Sequence, residues 1–131
     1  MSEMSYGRPS VHGFDETVTA VLESARNAGW VVLATHDMRS RFQSKGLEWH
    51  QGFTIVEICK AAYAAEMVAA EPELALHLPC PVVIRGDAEG LVTVDVLRPS
   101  FVVGLFPATD MSEGGDAAEA EVRSIVDHAT A

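Results

Sequence analysis

Cysteine is scarce in this sequence: Cys59 and Cys80 are the two in 131 residues. A chain of this length can bury a core without cross-links, so a disulfide-stapled scaffold is not expected. Long hydrophobic runs are missing too. Residues 30–34 and 101–106, the second run broken by Gly104, fall far short of the roughly 20 residues that span a bilayer. The N-terminus, MSEMSYGRPS, has no basic stretch leading into an apolar one, so no secretory signal is read and the cytoplasm is the default location. Positive charge is also limited, with nine Lys and Arg against nineteen Asp and Glu and a net charge of −10. This balance argues against nonspecific binding to nucleic acid or to an anionic membrane, both of which need basic surface. The sequence has no Gly-rich phosphate loop, HExxH, GxSxG or CxxC. That counts against the common nucleotide-binding, hydrolase and thioredoxin-like mechanisms.

What is present is globular composition: 48% hydrophobic and 21% charged residues supply one core and too little charge for disorder. Residues 5–11 read as a short strand, confined to an edge by Gly7 and Pro9. Asp15 is placed to cap a helix in which Phe14, Val18, Val21, Leu22, Ala25 and Ala28 recur at helical spacing, and Gly29 ends it. Residues 30–35 form a continuous apolar run, expected to be a strand buried on both faces or nearly so. Residues 36–51 are polar and read as a loop with one helical turn. Arg39, Arg41 and Lys45 gather there, as a solvated surface or an anion-contacting patch.

Residues 53–59 are a β-branched strand, and 61–71 an alanine-rich helix ended by Pro72. Residues 81–85 and 91–98 are strands joined by GDAEG, a loop of hairpin length. Residues 101–106 read as a last strand or a packed extension, and a Gly114–Gly115 pair precedes a helix over 116–129. The order β-α-β-β-α-β-β plus a C-terminal helix predicts a single α+β domain with helices on one face of the sheet. In this reading residues 1–100 form the α+β unit, and 101–131 are an extension and helix packed on it.

Several motifs together carry a resemblance: Gly29 closing an amphipathic helix, Glu57-x-Cys59 ending a strand, Ala64 in the next helix, Glu71-Pro72-Glu73, and Leu78-Pro79-Cys80 opening another strand. Over residues 5–100 the chain resembles the family known as domain of unknown function 302. The resemblance implies a curved, mainly antiparallel sheet with helices on one side, often assembled as a homodimer, and it implies no established activity. One departure is local: the family commonly has Asn-Pro after the first cysteine, where this chain has Lys60-Ala61.

The two cysteines are the candidate chemistry. Cys59, just before a helix, faces unpaired backbone N–H groups and the positive end of the helix dipole, an arrangement that favours thiolate and suits a catalytic thiol. Pro79 and Pro81 flank Cys80 and predict an irregular start to its strand, with the side chain free to point away from the core. The sulfurs meet only if the two strands are antiparallel.

Four readings follow. Free cysteine often packs as a small hydrophobe, which would leave a non-catalytic, dimeric interaction module. Cys59, Cys80 and His77, with Glu57, could bind zinc or copper. Cys59 could carry a disulfide or a persulfide. Cys80 or His77 could bind a haem or another hydrophobic ligand. His36-Asp37 reads as a solvated side-chain pair.

Overall fold

Residues 3–131 are described by a computed structural model. Period-two alternation organises it. In the strand Phe53–Cys59 (β3), Thr54, Val56 and Ile58 are buried while the residues between them are half-exposed. The strands Cys80–Gly86 (β4) and Val92–Leu97 (β5) repeat this pattern, burying Cys80, Val82 and Ile84 and then Val92, Val94 and Val96. Only one face of each strand is therefore fully withdrawn from water, as in an antiparallel sheet covered on one side. With Ser5–Pro9 (β1) and Val31–Asp37 (β2), these strands form one sheet in the order β1-β5-β4-β3-β2, each neighbouring pair antiparallel.

Helices Phe14–Asn27 (α1) and Ser112–Thr130 (α5) cover the buried face. Val21 and Ala25 of α1 and Val122, Ile125 and Val126 of α5 meet Ile58, Val82 and Val94 in the main core. Each fully buried aliphatic side chain there contributes about 1.5–3 kcal/mol. Gly29, at φ +83°, closes α1: its amide bonds the Arg26 carbonyl at 3.0 Å and the Trp30 amide bonds that of Ala25 at 3.0 Å. That double bond is the Schellman closure, which needs the left-handed backbone that glycine adopts without cost. The N-cap of α1 is Gly13, and Asp15 lies in the first turn, where a carboxylate complements the helix dipole.

Beyond the N-cap of α1, which is Gly13 and not Asp15, four further expectations are corrected. Among the described residues β2 pairs only with β3, so its apolar run lies at an edge, and Val31 and Leu33 are exposed instead of buried. The polar stretch after it holds the helix Met38–Ser44 (α2), whose N-cap Asp37 accepts hydrogen bonds from the Ser40 amide and hydroxyl at 3.0 and 2.9 Å.

Residues 101–106 are not a strand. Pro99–Gly104 is a helix (α4), with Pro99 in its first turn, where proline's fixed φ suits a helix. Val102 and Val103 pack there with Met67, Leu74, Met111 and Ala118 in a second, smaller core. The Gly114–Gly115 pair lies inside α5 rather than before it. A Cβ at Gly115 would stand 3.1 Å from Val103 Cγ2 and 3.5 Å from Ser100 Cα, so glycine there lets α4 approach α5 closely.

Glu119 of α5 fastens this corner. It accepts hydrogen bonds from Arg98 Nε and Arg123 Nε at 3.0 Å each, and from the Ser100 amide and hydroxyl. Between β3 and β4 the chain forms the helix Ala61–Ala70 (α3) and the 3-10 helix Pro72–His77. Among the described residues no helix is long and apolar enough to cross a membrane.

Candidate functional site

The end of β3 meets the start of β4. Their antiparallel register sets Ile58 opposite Cys80 and Glu57 opposite Pro81, so the two cysteines lie at one end of one strand pair. Cys59 is half-buried, while Cys80 is 6% exposed and belongs to the main core. The expected irregular strand start therefore does not release Cys80 from the core. Pro81 occupies the half-buried face beside it, and the ladder continues through both positions.

Strand parity constrains what the pair can do. Ile58 and Cys80 lie on the helix-covered face, whereas Cys59, one residue beyond Ile58, has the opposite parity. Opposed Cβ directions do not close a disulfide without backbone movement, even when the Cα atoms are close. Both cysteines are free thiols.

Both also line one narrow cavity of about 20 Å³, with Trp30, Lys60, Tyr63 and His77 among its other walls. That volume holds about one water molecule. Pockets for cofactors and drug-sized ligands run to roughly 300–1,000 Å³, so haem does not fit this space. Burial, and then the neighbouring Cys59, push the Cys80 thiol up to about 12, and it stays protonated at neutral pH.

His77, at the end of the 3-10 helix, donates from Nδ1 to the Leu74 carbonyl. Burial lowers its pKa below the ordinary range, with that hydrogen bond acting in the opposite direction. The imidazole is thus neutral, with Nε2 unprotonated.

Glu57 turns elsewhere: its Oε1 is 2.6 Å from His36 Nε2 across the β2–β3 pair. Of the four residues predicted as metal ligands, Cys59, Cys80 and His77 line one cavity, and Glu57 is held away from them by His36. Among the described residues no group of three or more His, Cys, Asp or Glu side chains is arranged to hold a metal ion. His36 pairs with Glu57 rather than with Asp37, which caps α2.

The residue that sequence reasoning missed is Glu121 of α5. Its Oε1 accepts hydrogen bonds from Lys60 Nζ at 2.7 Å and Trp30 Nε1 at 3.0 Å, and its Oε2 accepts one from the Tyr63 hydroxyl. All three donors line the cavity, so one carboxylate of α5 ties together Trp30 before β2 and the start of α3. Burial alone raises the Glu121 carboxyl, but the bonds from Lys60, Tyr63 and Trp30 outweigh it and the net shift is downward. The same contact raises the Tyr63 phenol, which remains a donor. Lys60, the N-cap of α3, thus commits its ammonium to Glu121 beside Cys59. No local motif announces this, because Glu121 is 58 residues or more from each donor in sequence.

Comparisons with known proteins agree with the fold. A crystal structure of an uncharacterized conserved DUF302 protein from Bacillus stearothermophilus matches with a TM-score of 0.87 at 24% identity, covering 98% of this chain and 99% of that one. No curated protein matches the sequence. The profile of the family described as domain of unknown function DUF302 matches residues 6–129, running through α5 beyond the residue-100 limit of the sequence resemblance. The chain belongs to the DUF302 family.

Proposed function

We propose that the protein carries thiol groups by disulfide exchange at Cys59. The observation that supports this reading is the unequal burial of two free cysteines on one cavity: Cys59 half-buried at its edge, Cys80 sealed in the core. In the exchange, Cys59 Sγ forms a bond to one sulfur of a disulfide R–S–S–R. The S–S bond breaks, and the second sulfur leaves as a thiolate that takes up the proton released by Cys59. Strand parity favours a mixed disulfide on Cys59 over an internal bond to Cys80, and the protonated Cys80 thiol does not compete as a nucleophile.

The test is intact-mass spectrometry of the native, reduced protein after brief exposure to cystamine. One reductant-labile adduct per chain is expected, lost in Cys59→Ser and kept in Cys80→Ala. No adduct on native protein, or an adduct that persists in Cys59→Ser, would overturn the reading.

A second reading, a homodimeric interaction module, rests on the sheet face that α1 and α5 leave uncovered. Ile55 and Val83 stand half-exposed there. Sedimentation that stays monomeric at every concentration would remove it.

A further inference from the structure

A second recess lies at the opposite end of β3, away from the cysteines. It is a groove of about 570 Å³ between the loop carrying Trp49 and Gln51, the first residue of β3, Phe53, and the β4–β5 hairpin with Arg85, Leu91 and Thr93. That volume lies within the range of small-ligand sites.

One wall is aromatic and held in place. Trp49 packs edge-on against Phe42 of α2, with centroids 5.0 Å apart, and tilts against Phe53 at 5.9 Å. Gln43 Nε2 donates to the Trp49 carbonyl at 2.9 Å, which anchors the loop. Trp49 nevertheless remains 39% exposed.

The polar groups in the groove are under-used. Arg85 meets protein through one terminal nitrogen, Nη2, at 3.3 Å from Asp95 Oδ2, leaving the rest of its guanidinium free among the described residues. The Gln51 amide and the Thr93 hydroxyl likewise have no partner among the described residues. The one carboxylate in the lining, Asp87, is occupied in the hairpin turn, where its Oδ1 accepts from the Glu89 and Leu91 amides at 3.0 and 2.8 Å.

The available chemistry is thus an aromatic face beside a guanidinium, with hydroxyl and amide groups nearby. α2, joined to this wall through Phe42, also carries Arg39 and Arg41, with the Arg39 guanidinium 5.8 Å from the Phe14 ring. A planar ring satisfies the aromatic face, and a carboxylate satisfies a bidentate guanidinium.

We propose that this groove binds a small planar aromatic carboxylate, with its ring against Trp49 and its carboxylate on Arg85. The site is separate from the Cys59 cavity and does not depend on thiol exchange.

Nuclear magnetic resonance of the full chain tests this with benzoate as probe and benzamide as its uncharged counterpart. Benzoate should shift the Trp49 indole N–H and the Thr93 amide while leaving the Trp30 indole in place. Arg85→Gln should weaken benzoate binding about tenfold, the loss of one charge-assisted contact, and leave benzamide unaffected. Trp49→Ala should remove the Thr93 response to both probes while the Trp30 signal reports an intact fold. Three results would overturn the proposal: no benzoate response, equal benzoate affinity in Arg85→Gln, or a Trp49 signal that moves with protein concentration alone. The last would mean that a second copy covers the groove.

Discussion

The two ends of β3 differ in almost every physical respect. At the Cys59 end, α3, the 3-10 helix and α5 close over the strand, and the space left is about 20 Å³. At the Phe53 end, a loop and a hairpin leave a groove of about 570 Å³. The closed end has its polar groups paired, with Glu121 taking three donors and His77 Nδ1 bound to a carbonyl. The open end holds Gln51 and Thr93 side chains without partners among the described residues and an Arg85 that is only partly engaged. One strand therefore runs between two unlike environments. Where helices from distant parts of the chain converge, packing dominates and of the two thiols only Cys59 stays half-buried. Where only local loops meet, polar surface stays available for a ligand.

The largest expected contrast is in stability. Ile58→Ala, at a fully buried position of the closed end, should cost about 2–5 kcal/mol in denaturant unfolding. Trp49→Ala, at the open end, should cost nearer 1 kcal/mol, the scale of exposed aromatic pairs. Equal costs would break the distinction between a packed end and an open one.

Glu121→Gln sharpens it next. Weakening three hydrogen bonds to a charged acceptor should cost about 2 kcal/mol at neutral pH. The folded Glu121 carboxyl lies below its ordinary 4.5, so its contribution is present above that value and is lost as pH falls through the lower folded one. The gap between wild type and variant, followed by urea unfolding across acid pH, should close below about 4.5.

The smallest effect concerns Cys80. Its thiol is raised from 9.0 to about 12, so folding favours the protonated form. That contribution is complete below pH 9 and is lost as pH rises towards 12. Wild type should lose about 1 kcal/mol near pH 10 relative to Cys80→Ala, measured by unfolding in alkaline buffers.

Much of this architecture was legible in the residues. β-Branched residues marked β3, a loop of hairpin length marked β4 and β5, and the spacing from Val18 to Ala28 with Gly29 beyond it marked α1. Glu-x-Cys and Leu-Pro-Cys pointed to the family and to the facing strand ends. Two elements misled for identifiable reasons. The apolar run around Val102 and Val103 has strand composition, but Pro99 and contact with α5 make it helical. The Gly114–Gly115 pair resembles a break, yet Gly115 is needed where α4 meets α5. The candidate ligand set Cys59, Cys80, His77 and Glu57 followed sequence proximity, whereas strand parity and the His36 contact turn Glu57 away.

By itself, the sequence determined the α+β class, the order of most elements and the location of the two thiols, because side-chain periods of two and 3.6 residues are local properties. The tertiary structure alone decided that Cys80 is sealed while Cys59 is half-open, that Glu121 ties the cavity walls, and that Trp49 and Arg85 share a groove. Those facts depend on which distant segments bury surface against one another, and no short stretch of sequence encodes that choice.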